Sequence, residues 1–459
     1  MLGKVGKKIY VGAMILGVGA FIAKLLGAAY RIPLTKIVGA TGLGLYQLVF
    51  PVYALLLDFS GAGVPGALSK IISSYKGLGK DAYAKSTLFT SLLFFSSLGL
   101  LFSVLTAVFS KSIATVQGDE NAYLAYVFLA PSVFLVCIIS CLRGYFQGYM
   151  DMVPTAVSQI VEQVVKLSAG LILANYFMPD ITRAVAGATF AITISEAVAA
   201  AQLFVFYKLR TRGNGNKKRF IAYFKEFPIN FKEIIVYAIP ITVAGLILPL
   251  SKVVDSFLIV NTLNTYSESA TGLYGLYSGV AVTVIGLPVA VCYGIATVAI
   301  PAVSGADGEA KRSNSYKTLW LTLAVSLPCA LVCFFFSPLI VEILFGYLPQ
   351  TQKEICVKLL KISSPNVLLL SVLQTANAVL IGKSSPFKPI LGVVSGVAVK
   401  TVAEIFLLKN QSVNIYGAAI ASIACYFVAD LINLSMIFVK KGSTADEGKR
   451  IKNRRYVNT

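Results

Sequence analysis

The sequence predicts an all-α integral membrane protein of about twelve transmembrane helices, arranged as two six-helix lobes related by a parallel pseudo-two-fold repeat. Three observations predict it: too little charge for a water-facing surface, apolar runs of bilayer length from end to end, and loops whose basic charge alternates. Of 459 residues, 57% are apolar and only 13% charged, with a mean hydropathy of +0.78. A soluble domain spends about a quarter of its residues on charge. The bilayer core, which asks for about 20 apolar residues per helix, is the solvent this composition suits.

The runs fall at residues 9–30, 45–70, 86–109, 123–141, 153–177 and 184–207, then at 234–260, 273–303, 318–344, 359–381, 390–408 and 415–439. All must be helical, because an open strand leaves its backbone unsatisfied in lipid. The first run could imitate a signal peptide, but Ile9 to Tyr30 is too long for one and carries Lys24, so it reads as a spanning helix. Between the sets of six lies a basic stretch. The expected domains are a lobe at residues 1–207, a cytoplasmic linker at 208–233, a lobe at 234–440 and a basic tail at 441–459.

Lysine and arginine set the orientation. With the N-terminus inside, the inner segments hold 28 of the 40 basic residues and the outer loops 7, the other five lying within spans. Both termini are therefore expected in the cytoplasm, with the chain as a multi-pass protein of the cell membrane. The net charge of +20 could suggest nucleic acid. Its fourfold excess on one side instead points to a topology signal and to contact with anionic phospholipids.

The halves echo each other. Thr41-Gly-Leu-Gly-Leu-Tyr46 precedes the second run, and Thr271-Gly-Leu-Tyr-Gly-Leu-Tyr277 precedes the eighth. Each leads into a run broken by glycine and proline: Pro51 and Gly61 to Gly66 in the first half, Pro288, Gly294 and Pro301 in the second. Gly148, Pro154 and Lys166 are matched by Gly382, Pro389 and Lys400. Six helices per half is an even number, so the repeat is parallel, a plan found in secondary transporters. Broken helices suit a bending gate, and packing-driven kinks are the plainer alternative.

The absence of histidine removes imidazole general-base catalysis, imidazole proton relays and histidine metal sites together. The seven cysteines lie almost entirely in apolar runs and read as buried thiols. No metal ligand set, cofactor motif or catalytic residue is expected, and the chain does not read as an enzyme.

Charge inside the spans costs several kcal/mol unless paired or wetted, so it marks function first. Lys24, Arg31, Lys166, Lys252 and Lys400 are the expected substrate-binding residues of a cationic, water-filled cavity suited to an anion. Asp58, Glu162, Asp255 and Glu404 are the gate or ion-coupling candidates, with sodium or a proton as the coupling ion. Glu162 with Lys166, Lys252 with Asp255 and Lys400 with Glu404 are spaced to meet on one helix face, as structural ion pairs or as functional ones. For Lys24 and Arg31 the alternative is snorkelling to the outer interface.

Lys24-Leu-Leu-Gly-Ala-Ala-Tyr-Arg-Ile-Pro-Leu34, Ile37-Val-Gly-Ala-Thr-Gly-Leu-Gly-Leu-Tyr-Gln47, Pro51-Val-Tyr-Ala-Leu-Leu-Leu57 and Gly61-Ala-Gly-Val-Pro65 closely resemble the stage V sporulation protein B family. Ser69-Lys70 and Val253-Val-Asp-Ser-Phe257 add to the likeness. That family belongs to the multidrug/oligosaccharidyl-lipid/polysaccharide exporters, with the lipid II and O-antigen flippases. The resemblance implies a MATE-like fold, alternating access and movement of a lipid-linked glycan precursor of peptidoglycan or polysaccharide. Envelope-synthesis enzymes would be its partners. It also implies that Lys24 and Arg31 face the substrate headgroup. Two departures stand out: Asp58-Phe59 replaces the second-span arginines of lipid II flippases, and twelve spans are read where those proteins carry two more for the polyprenyl tail. The alternative is a cation-coupled multidrug or metabolite exporter of the same fold. A membrane glycosyltransferase would need a clustered set of carboxylates, which the scattered acids do not supply.

Overall fold

The computed structural model describes residues 2–59, 63–211, 220–306, 308–383 and 387–438. Gly61 and Ala62, the centre of the linker at 212–219 and the tail at 441–459 lie outside the described residues. The first lobe comprises α1 (Leu2–Leu57), α2 (Val64–Gly77), α3 (Asp81–Val108), α4 (Ser110–Val116), α5 (Tyr123–Gly148), α6 (Val153–Tyr176) and α7 (Ile181–Thr211). The second comprises α8 (Phe220–Asn264), α9 (Ala270–Tyr274), α10 (Val282–Ser304), α11 (Gly308–Phe335), α12 (Ser337–Phe345), α13 (Gln350–Ser363), α14 (Pro365–Gly382), α15 (Lys388–Leu407) and α16 (Tyr416–Phe438).

Among the described residues, eleven helical stretches are long and apolar enough to cross a membrane. The first, Ile15–Leu57, is 43 residues. At 1.5 Å per residue it would reach about 65 Å, twice a bilayer core. It does not run straight. Gly39 takes φ 68°, a left-handed conformation that favours glycine, and folds α1 into two passes. Twelve crossings result, as the hydropathy predicts.

The two lobes repeat one set of neighbours. In the first, α6 packs on α7, α5 on α7, α3 on α5, α2 on α5 and α1 on α6. In the second, α15 packs on α16, α14 on α16, α11 on α14, α10 on α14 and α8 on α15. The matched glycines do equivalent work. A Cβ on Gly148 would lie 3.2 Å from the Ser69 carbonyl of α2, and one on Gly382 would lie 3.1 Å from the Ile300 carbonyl of α10. Both positions let two helix backbones touch. Large side chains on the outside, such as Leu101, Ile172, Phe335 and Phe406, are exposed because lipid covers them.

The lobes meet at the end of the bundle where α1 kinks. One core cluster there joins Ala40, Leu43 and Leu48 of α1 to Ile259, Leu276 and Val280 of the second lobe. Polar contacts add to it. Thr271 donates to Asp119 at 2.6 Å, Asn264 to the Gly118 carbonyl at 2.7 Å and Ser256 to Gln117 at 2.8 Å. At the opposite end there are two cores, one around Leu68, Leu88 and Leu142, which the start of α8 joins, the other around Ala299, Val379 and Ile437. The space between the lobes is closed at the kink end.

Two expectations change. The predicted break at Pro288 and Gly294 is absent, and α10 runs unbroken from Val282. The distortion is instead a π-helical turn, Gly275–Ala281, where the two lobes' backbones press together and the register has to shift. The linker is also more helical than its polarity suggests, with α7 reaching Thr211 and α8 starting at Phe220. Early in α8, Phe231 packs on Phe94 of α3, and Ile234 joins the first lobe's core.

Candidate functional site

A cavity of about 680 Å³ lies between the lobes. The kinked α1 supplies Lys24 and Arg31 from its first pass and Tyr46, Gln47 and Phe50 from its second. The α6 helix adds Gln163 and Lys166, α8 adds Lys252 and Asp255, α14 adds Gln374, and α15 adds Lys400. All five expected cations therefore line one space, with Asp255 the one acidic residue in its wall among the described residues. The repeat explains part of this. Pro154 starts α6 and Pro389 starts α15, and Lys166 and Lys400 follow at nearly equal distances along each helix.

Four of those cations have no carboxylate within ion-pair distance among the described residues. Arg31 donates to the Thr283 hydroxyl at 2.7 Å, across the lobe boundary. Lys24 stands 3.9 Å above the Tyr293 ring, also across that boundary. Lys166 lies between the rings of Tyr30 and Phe50, 5.8 and 5.7 Å from their centres. Lys252 lines the cavity and has no hydrogen-bond or ion-pair partner among the described residues. Aromatic faces and hydroxyls soften these charges but do not cancel them. The space carries positive potential and would concentrate anions.

Lys400 is held differently. It donates to Asp255 on α8, and Glu404 on its own helix sits 3.6 Å away. The Lys400–Glu404 pair is thus present. The Lys252–Asp255 pair is not, because Asp255 turns to the neighbouring helix. Glu162 does not pair with Lys166 either. Arg143 of α5 takes it at 3.1 Å while also donating to Ser158 at 3.0 Å, a fork geometry that a lysine cannot match. Asp58 lies just past the end of α1, and Glu162 and Glu404 lie behind the wall, so none of these three lines the cavity.

Two buried carboxylates escaped the sequence reading. Glu196 in α7 is 2% exposed and accepts a hydrogen bond from Tyr53 of α1. Asp430 in α16 is 5% exposed, with neither oxygen partnered. Both sit inside predicted spans, and the cost of burying charge in lipid was the signal that could have found them. Among the described residues no cluster of metal-ligating side chains occurs.

Two lobes of one repeated plan, closing over a charged cavity at one end, define a membrane transporter. The chain belongs to the polysaccharide biosynthesis protein family, whose model matches residues 9–307. It is 27% identical over 436 residues to stage V sporulation protein B of Bacillus subtilis, covering 93% of this chain and 83% of that protein. It is equally 27% identical over 467 residues to the lipid II flippase MurJ of the same organism, covering 94% and 82%. Its fold matches a multidrug resistance MATE family transporter of the MOP superfamily in an inward-facing conformation, with a TM-score of 0.73, 15% identity, and 95% and 96% coverage.

Proposed function

We propose that this protein moves a lipid-linked, anionic glycan precursor, a peptidoglycan or polysaccharide intermediate, across the cytoplasmic membrane by alternating access. The carrying observation is the cavity wall, where among the described residues five cations face one carboxylate. A headgroup joined to its lipid through phosphates matches that charge. The name of one Bacillus relative, the lipid II flippase MurJ, supports the same class of cargo.

In this reading both termini and the basic linker are cytoplasmic, and the kink end faces outward. The structure's cavity, closed at the kink end, then receives its load from the inside. Lys24, Arg31, Lys166 and Lys252 draw the phosphates between the lobes. Neutralised, the lobes can close at the inner end and part at the outer one. No covalent bond is made or broken. Lys400 sits between Asp255 and Glu404, so a phosphate drawing on Lys400 would leave two carboxylates short of charge. A sodium ion or proton arriving there is the coupling step.

The rival reading, a cation-coupled multidrug or metabolite exporter, would place cationic cargo against five fixed cations, which opposes binding. The deciding experiment is depletion in the native cell, followed by identification of the lipid-linked glycan that accumulates on the inner leaflet. Accumulation of one such intermediate is expected. Unchanged glycan lipids together with lost efflux of a cationic drug would establish the rival.

A further inference from the structure

A second, smaller cavity of about 240 Å³ lies away from the central one, at the end opposite the α1 kink. Three helix ends frame it. The first turns of α11 supply Lys311, Arg312, Ser315 and Tyr316, the residue after α14 is Lys383, and α16 closes it with Ile437 and Phe438. Among the described residues its wall holds three cations, Lys311, Arg312 and Lys383, and no acid. Among the described residues, none of those three forms an ion pair.

The side chains are positioned. The Lys383 ammonium donates to the Ile437 carbonyl at 3.0 Å, capping the end of α16 and aiming the charge inward. Tyr316 stacks on Phe438, with centroids 5.1 Å apart at 25°, and the Arg312 guanidinium lies 5.7 Å from the Tyr316 ring. The result is an aromatic floor under a cationic rim. Burial pushes the Lys383 amine below the usual lysine range, and Lys311, Lys388 and Arg312 press it further down. Like charges are crowded there, and no carboxylate among the described residues pairs with them.

Location decides what counter-ion fits. The cavity sits where three spans end, the level at which headgroups lie. Exposed Trp320, Leu327, Leu331 and Phe334 continue from Tyr316 down α11 at helical spacing. That exposed apolar stripe leads away from the basic pocket along the outer face of α11.

We infer that this pocket, built by Lys311, Arg312 and Lys383, binds the phosphate headgroup of an anionic membrane phospholipid whose acyl chain lies along α11. The site does not depend on what the central cavity carries, and lipid retention reads it without any transport assay.

The test uses the full chain reconstituted in vesicles of equal parts phosphatidylglycerol and phosphatidylcholine, then extracted and examined by native mass spectrometry. The protein is expected to retain phosphatidylglycerol in preference. Each cation removed should weaken that retention by about fivefold, and the triple change Lys311→Gln, Arg312→Gln, Lys383→Gln should abolish the preference. Lys317→Gln, a neighbour outside the pocket, should leave it intact, and Lys383→Arg should keep most of it. If the triple variant misfolds, the single changes and Lys383→Arg still decide. Equal retention of the two lipids, or preference surviving in every pocket variant, would overturn the site. Release of the lipid by millimolar inorganic phosphate would also overturn it, making the pocket a soluble-anion site.

Discussion

Lys400 on α15 donates to Asp255 on α8, 145 residues away, while Glu404 one turn along its own helix stands 3.6 Å off. One ammonium therefore joins two helices of the second lobe and faces two carboxylates. Both acids keep oxygens without a hydrogen-bond partner. With both ionised the trio is one positive charge short, on the wall of a cavity where every other charged side chain among the described residues is a cation.

Removing the lysine should therefore be costly. Lys400→Leu leaves two buried carboxylates uncompensated, and breaking a buried pair costs about 3–5 kcal/mol. Adding Asp255→Asn and Glu404→Gln should restore most of that stability by removing the charge altogether. Thermal unfolding in detergent reads both variants. A Lys400→Leu protein as stable as the unaltered one would show that the trio is not structural. If the triple variant folds yet no longer transports, the charges serve function beyond holding α8 to α15.

The fold was legible because lipid imposes one rule on every residue of a span. Run length, lysine and arginine bias and the Gly-Leu-Tyr echo all follow from it, and twelve crossings in two lobes result. The pairing of charges was less legible. Spacing along one helix says that Lys166 can reach Glu162, but not that α5 brings Arg143 to the same carboxylate. Likewise Asp255 was one turn from Lys252, yet the packing of α8 on α15 offered Lys400. Competition between helices lies in tertiary packing, beyond any periodicity. Asp430 and Glu196 were a different failure. They had no lysine at i+4 to draw notice, although burial cost alone marks them.

If the cavity attracts phosphates, its unpaired cations should matter individually. Lys24→Ala and Arg31→Ala are each expected to lower transport at least tenfold, equivalent to about 1.4 kcal/mol. Lys24→Arg should keep part of the activity, because it retains the charge but changes the donor geometry. Asp58→Asn, outside the cavity wall, should have a smaller effect. Accumulation of lipid-linked glycan in cells carrying each variant is the measurement. Full transport by both alanine variants would remove the headgroup role.

Orientation is tested at the two ends of the bundle. Lys80 follows α2 at the basic end, and Ser267 lies between α8 and α9 at the kink end. Lys80→Cys should react with an impermeant thiol reagent only in inverted vesicles, and Ser267→Cys only in intact cells. Six of the seven native cysteines are buried, which keeps the background low. The reverse labelling pattern would invert the topology and with it the direction in which the cavity opens.

The kink end must part for alternating access, and its construction says where. The two Gly-Leu-Tyr segments lie against each other across the lobe boundary: Gly275 is so close to α1 that a Cβ there would stand 2.6 Å from the Gly44 nitrogen and 2.9 Å from its Cα. Nearby, Thr271 donates to Asp119 at 2.6 Å, joining short side chains from opposite lobes. Gly275→Val should prevent this closure and leave the cavity accessible from the kink end. Asp119→Cys with Thr271→Cys should do the opposite. Oxidation would tie the lobes where they now touch, transport should stop, and a reductant should restore it. Thiol accessibility inside the cavity separates the two variants, since the valine protein should label from outside and the oxidised pair only from inside. An oxidised, fully cross-linked protein that still transported at the full rate would mean that this end does not open, and the alternating-access mechanism would have to be abandoned.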